Sequence, residues 1–205
     1  RQAGDDTTVV CAAGGLPGEL HKLWQCSGPG SYHVEYGFSC MGYEIAGGLG
    51  VKMAKPDNEV VVMVGDGSYL MHNSELATSV MLGHKLIVVV LDNRGYGCIN
   101  RLQQATGGAG FNNLLQDCRT VEAGAHAKAL GCESESVTGI AELEQALVRA
   151  RSATSTYVIA LDTDPLPSTQ EGGAWWEVAV PEVSEREAVN KAYQGYRKAK
   201  QRQRH

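Results

Sequence analysis

Four short runs rich in β-branched residues restrict this chain to few architectures: 7–12 (TTVVCA), 59–64 (EVVVMV), 85–91 (KLIVVVL) and 156–161 (TYVIAL). They are close to continuously apolar, which a strand tolerates only when both faces of its sheet are covered. Each stops at turn-forming residues: Gly14-Gly15, Gly65-Asp66-Gly67, Asp92-Asn93-Arg94-Gly95 and Asp162. A weaker run of the same kind lies at 132–137. Helical patterns fill the intervals. Residues 74–82 gather Leu76, Ala77, Val80 and Met81 on one side and reach a stop at Gly83. Segments 120–130 and 140–150 are also amphipathic, the second through Ile140, Leu143, Leu147 and Ala150. Buried strands alternating with helices predict an α/β fold, a doubly wound and mostly parallel sheet with helices on both faces. No internal repeat is visible.

With 205 residues, 43% of them hydrophobic, the chain suffices for one domain and a tail. The texture changes after Asp164, so we expect the domain to span 1–164 and a tail with a closing helix to span 165–205. The tail holds Pro165, Pro167, Gly172, Gly173 and the pair Trp175-Trp176, whose rings are expected to fold back over the domain. Residues 186–204 read as a polar helix with a solvated basic end. A net charge of −5 argues against nucleic acid as a partner. No apolar run has membrane-spanning length, which argues against a membrane partner, and nothing at the N-terminus resembles a signal peptide. The six cysteines form no CxxC pair; they read as reduced thiols of a cytoplasmic protein, with Cys11 and Cys132 in the core.

The chemistry concentrates in residues 59–95. Two parallel strands joined by a helical crossover finish on the same side of the sheet, where open α/β sheets bind ligands. Asp66 follows the first strand, and Asn93 follows the second 27 positions later. A carboxylate and an amide oxygen are hard donors suited to Mg²⁺, which keeps sites for water and phosphate oxygens. Gly65 and Gly67 allow backbone to approach phosphates, and Gly67-Ser68 opens a helix whose free N–H groups favour an anion. Asp, Asn and Gly are also ordinary turn residues. It is the pair at this spacing, each member after a buried strand, that marks a site.

Gly65-Asp66-Gly67 followed by Asp92-Asn93 resembles the motif of the thiamine-diphosphate-dependent enzymes: GDG, some 25 residues, then NN. The resemblance implies a metal held by Asp66, Asn93 and the carbonyl of Gly95, with thiamine diphosphate and Mg²⁺ as cofactors. Asp92 stands where the family has its first Asn, which leaves the ligand position intact. Residues 35–53 (EYGFSCMGYEIAGGLGVKM) are similar to the segment that cradles the cofactor rings. There Met41, before Gly42, takes the place of the wedge that keeps the cofactor bent, and the Ser39 carbonyl that of the acceptor for its 4′-amino group. Gly14, Gly15 and Leu16 correspond by position to a third loop around the diphosphate, and Tyr96 joins the cofactor-facing set. The implied fold is the diphosphate-type domain of that family.

Longer stretches, CAAGGLPGELHKLW and PSTQEGGAWWEVAVPEVSER among them, are similar to a ring-opening hydrolase branch of the family that acts on a cyclic 1,2-dione. The same metal motif serves carboligases and 2-oxo-acid decarboxylases, and a non-catalytic phosphate- or nucleotide-binding module is the reading from another class. Asn100, Arg101, Gln103 and Gln104 are candidates to meet substrate hydroxyls, with exposed helix surface as the plainer reading. His33 and His72 are candidate acid–base groups or structural histidines, and Glu44 stands out in an apolar, Gly-rich stretch. The resemblance further implies a separate pyrimidine-binding domain carrying the activating glutamate. It is donated by a neighbouring chain of a homodimer or homotetramer, and it makes this chain a C-terminal fragment.

Overall fold

The computed structural model describes residues 2–111, 113–114, 121–167 and 179–203. Its centre is a six-stranded sheet, parallel throughout. In chain order the strands are β1 (Thr7–Cys11), β2 (Tyr32–Val34), β3 (Glu59–Gly65), β4 (Ile87–Asp92), β5 (Glu133–Val137) and β6 (Tyr157–Asp162). In space the order is β2-β1-β3-β4-β6-β5. The helices are α1 (Gly15–Leu23), α2 (Tyr43–Ala54), α3 (Asp66–His72), α4 (Ser74–Leu82), α5 (Gly97–Ala105), α6 (Ala123–Ala129), α7 (Ile140–Ser152) and α8 (Glu187–Gln201).

Alternation along the strands sorts side chains onto two faces. Val10, Val60, Val62, Val64, Val88, Val90 and Val158 pack with Ile45 and Leu49 of α2, Tyr69 of α3, Leu76 of α4 and Ala123 and Ala127 of α6. On the opposite face Ile87 and Ile159 meet Ala146 and Ala150 of α7, while Val9 and Cys11 meet Leu20 of α1. Helices therefore cover both faces, as the continuous apolar runs require.

The predicted strands and helices occur with shifted ends. The 120–130 helix is confined to α6, because Glu122 is extended and its carboxylate accepts from Ser136 Oγ (3.1 Å). The strand expected at 85–91 begins two residues later and ends one later, Leu86 N donating instead to Thr156 Oγ1 (3.1 Å). The helix at 74–82 ends as expected: Gly83 is left-handed (φ 68°), and N–H groups there return to the last turn. β2 and α1 are additions, and the helix read at 100–104 is part of α5. The Gly-rich stretch after Met41 forms α2, and Gly48 explains its composition: a Cβ there would run into the Val62 side chain, so glycine lets the helix lie close on the sheet. α8 is anchored by buried Val189, and Gly107 (φ 82°) brings the end of the α5 segment against the Ala188 backbone. Cys11 and Cys132 are buried as expected, while Cys118 and the Trp175-Trp176 pair lie outside the described residues. Among the described residues no helix is long and apolar enough to cross a membrane.

Candidate functional site

The chain runs from β1 outward to β2, then returns past β1 to begin β3 on its other side. That reversal opens a crevice between the carboxyl ends of β1 and β3, the place where open parallel sheets take ligands. The loops at Gly14-Gly15 and Gly65-Asp66-Gly67 flank it. Gly65 pairs with Leu91, so Asp66 and Asp92 leave neighbouring strands at one level and Asn93 follows beside them.

Asp66 is partly buried, and its Oδ2 accepts from Gly95 N at 2.7 Å. One end of the Asn93 amide lies 3.2 Å from Asp66 Oδ1 and 2.7 Å from the Gly95 carbonyl oxygen. With its NH₂ on that side, the amide donates to both. With its oxygen there, the amide, carboxylate and carbonyl oxygens face one another with no proton between them, an arrangement that a cation makes favourable. Neighbouring ligands of an octahedral ion with bonds of about 2.1 Å stand about 3 Å apart, and the two spacings bracket that value. All three donors are hard oxygens, so the residues present fit a magnesium ion.

Burial pushes the Asp66 carboxyl above the usual range, and the charge of Asp92 adds to the effect. N–H bonds from Gly95, Asn93 and Gly67 pull the other way. The loop carrying Asn93 is turned by Arg94 (φ 58°) and Gly95 (φ 137°). Gly95 has no substitute, since a Cβ would strike the Asn113 carbonyl oxygen and stand 3.1 Å from Leu114 Cα. Asp92 steadies the turn by accepting from Arg94 N (2.8 Å).

The residues expected to cradle the cofactor rings come to the same place. A Cβ on Gly67 would be 2.8 Å from Tyr96 Cε1 and 3.3 Å from the Met41 methyl, so Met41 and Tyr96 converge on the glycine that follows Asp66. Gly42 (φ 90°) lies against Met71 and His72 of α3. Glu44, fully buried, accepts from Ala13 N (3.2 Å) and Gly42 N (3.0 Å). It ties the loop after β1 to the start of α2, a structural task that the sequence left open. Ser39 is exposed and left-handed (φ 52°), and Ser68 is buried in α3. Gly14 (φ 90°) and Gly65 have no atom of the described residues within 4 Å of where a Cβ would stand, leaving room in the crevice that the fold itself does not fill. Gly15 and Leu16 begin α1.

The remaining candidates divide. Asn100 is buried, against the reading of an exposed helix face, because α5 turns that side inward. The Arg101 guanidinium donates to the Pro165 carbonyl (3.1 Å) and lies against Gly15 and Gly97, joining three loops at the crevice. Nothing in the spacing of the sequence signals that meeting, since Gly15 is remote from Arg101 along the chain. Gln103 Oε1 accepts from Asn113 Nδ2 (2.7 Å), and Gln104 is exposed. His33 Nε2 sits 2.6 Å from Tyr43 Oη with the rings stacked, whereas His72 is exposed at the end of α3.

Comparison with known proteins agrees with this geometry. Residues 12–161 match the family described as "Thiamine pyrophosphate enzyme, C-terminal TPP binding domain". The chain is 42% identical over 200 residues to 3D-(3,5/4)-trihydroxycyclohexane-1,2-dione hydrolase of Geobacillus thermodenitrificans, covering 92% of this chain and 31% of that protein. The enzyme of the same name from Bacillus subtilis is 40% identical over 202 residues, covering 95% of this chain and 31% of its own length. The chain thus spans about a third of the curated relatives it matches. Among solved structures, the thiamine diphosphate-dependent 4-hydroxybenzoylformate decarboxylase of Rhodococcus jostii superposes with a TM-score of 0.73 at 20% identity, over 80% of this chain and 30% of that one. Benzoylformate decarboxylase of Polynucleobacter necessarius gives 0.71 at 21%, over 80% and 31%. At such identities the likeness speaks for the fold. The chain belongs to the thiamine pyrophosphate enzymes, as a C-terminal TPP-binding domain of that family.

Proposed function

We propose that this domain binds thiamine diphosphate through a magnesium ion held by Asp66, Asn93 and the Gly95 carbonyl, and that it serves the ring-opening hydrolysis of 3D-(3,5/4)-trihydroxycyclohexane-1,2-dione to 5-deoxyglucuronate, a step of myo-inositol catabolism. The observation that carries the cofactor reading is the meeting of the Asn93 amide with the Asp66 carboxylate and the Gly95 carbonyl at the ends of β3 and β4. The substrate is supported by the identity of about 42% to enzymes of that name. Bound there, the cofactor supplies a nucleophilic carbon and an electron sink for breaking the bond beside a carbonyl.

The chain's own residues hold and orient. Asp66 and Asn93 would hold the magnesium ion, whose charge would offset that of the diphosphate. Gly14, Gly15, Leu16, Gly65, Gly67 and Ser68 line the room left for the diphosphate. Met41 and Tyr96 meet over Gly67 and shape the wall against the rings, and the Ser39 carbonyl accepts from the 4′-amino group. Arg101, fixed by the Pro165 carbonyl, places a cation at the mouth of the crevice, suited to diphosphate or to substrate oxygens. The domain itself spans 1–164, and 165–205 is its tail, in which α8 packs on the domain through Val189. The proton relay that activates the cofactor comes from a pyrimidine-binding domain of a neighbouring chain in a homodimer or homotetramer, working in the cytoplasm.

Calorimetric titration of the full-length protein with thiamine diphosphate tests the first part. Binding should require Mg²⁺ and be lost in Asp66→Ala. Unchanged affinity in that variant would remove Asp66 from the metal site. Product analysis with the cyclic dione tests the second part. The open-chain acid is expected, whereas a ligated or decarboxylated product from 2-oxo acids would favour a carboligase or decarboxylase.

A further inference from the structure

We propose that Glu35 is a positioning residue, whose carboxylate aims the Ser39 carbonyl into the site by holding the far side of the same peptide unit. The proposal rests on the cofactor reading above. Glu35 Oε2 accepts from Cys40 N at 2.6 Å, and Oε1 accepts from Phe38 N at 3.0 Å. The Cys40 N–H and the Ser39 C=O belong to one planar trans peptide, so they point in opposite directions. An N–H drawn towards Glu35 therefore turns the Ser39 carbonyl away from it.

Little else holds this loop. Phe38, Ser39 and Cys40 are all exposed, Phe38 by 91%, so side-chain burial does not set its shape. Ser39 also occupies the left-handed region (φ 52°), which disfavours any residue with a Cβ. A conformation of this kind persists where neighbouring bonds over-determine it. The clamp has a firm base, because Glu35 N donates to the Cys11 carbonyl (3.3 Å) and ties its backbone to the end of β1. On the other side Tyr43 N donates to the Cys40 carbonyl (3.3 Å), joining the loop to α2. Glu35 thus links the central sheet to the one carbonyl expected to read the amino group of the cofactor. The bonds from Cys40 and Phe38 also hold its carboxyl below the usual range, so it is an acceptor at neutral pH.

The test compares two ligands on the full-length protein with Mg²⁺: thiamine diphosphate, and its analogue with oxygen in place of the 4′-amino group. Wild type should prefer the amino form by about tenfold or more, the scale of one directed hydrogen bond. Glu35→Ala should lose about tenfold in affinity for thiamine diphosphate while binding the oxygen analogue within about twofold of wild type, so that the preference collapses. Glu35→Gln keeps the shape and one acceptor oxygen, and should fall between; it replaces Glu35→Ala in the comparison if the alanine variant unfolds markedly earlier without cofactor. Equal weakening of both ligands would mean a general structural role and overturn the proposal, as would a variant that keeps the wild-type preference. A wild type that binds neither diphosphate would instead overturn the cofactor reading itself, and the proposal with it.

Discussion

Gly65→Ala separates a glycine needed by the fold from a glycine needed by a ligand. Gly65 ends β3 with φ −77° and ψ 157°, a conformation open to every residue. No atom of the described residues lies within 4 Å of the position its Cβ would take. The substitution therefore introduces no clash or strain into the free protein. It restricts the unfolded chain, which stabilises by about 0.4–1 kcal/mol where the native backbone is compatible. If the diphosphate occupies that space, the methyl group overpacks a filled site, at a cost of about 1–3 kcal/mol, or roughly fivefold to 150-fold in affinity. Chemical denaturation without cofactor and calorimetric titration with thiamine diphosphate and Mg²⁺ measure the two effects on one preparation. The reasoning predicts opposite signs: unfolding unchanged or slightly later, binding at least about fivefold weaker. Binding at wild-type strength, or an earlier unfolding midpoint, would refute it. Gly95→Ala is the converse control. Its Cβ would meet backbone atoms of Asn113 and Leu114 at φ 137°, so the loop itself must deform and both quantities should fall.

Met41→Ala should leave Mg²⁺ binding nearly intact and slow turnover of the full-length enzyme. Met41 is only partly buried, so the free fold should lose less than the roughly 2–5 kcal/mol of a core methionine; thermal unfolding and steady-state kinetics together check this, and wild-type turnover with a weakened fold would make Met41 a core residue. Glu135 is held below the usual carboxylate range chiefly by Arg149, whose guanidinium donates at 2.9 and 2.6 Å, and further by Tyr157 Oη at 2.6 Å. A depressed folded pKa contributes stability above the unfolded value and loses it as pH falls through the folded one. Glu135→Gln should therefore cost under about 1 kcal/mol at neutral pH, since Arg149 is half exposed, and the gap to wild type should close in acid; a deficit independent of pH would point to packing instead.

Much of the architecture can be read from local pattern. The strands at 59–64 and 156–161 and the helix ending at Gly83 lie where apolar period and turn chemistry put them. β2 escapes because it is three half-buried residues at a sheet edge, too short for a period to emerge. α2 is obscured by its glycines, which lower its helical signal, although only Gly48 serves its contact with Val62. In the site, Asp66 and Asn93 are legible because each follows a recognisable strand. Glu44 is visible as an anomaly, but its partners, Ala13 N and Gly42 N, belong to separate elements.

By itself the sequence determined the longer strands and most of the helices, that both faces of the sheet are covered, and which hard oxygen donors stand at strand ends, since these depend on near neighbours. Tertiary structure alone decided the order β2-β1-β3-β4-β6-β5 and hence the position of the crevice. It also decided the meeting of the Asn93 amide with Asp66 and Gly95, the place of Arg101 against Gly15, and the bond from Cys40 N to the Glu35 carboxylate. The physical reason is range: hydrophobic period and turn preference act over a few residues, whereas these contacts join groups far apart along the chain, which only the packed sheet brings within hydrogen-bonding distance.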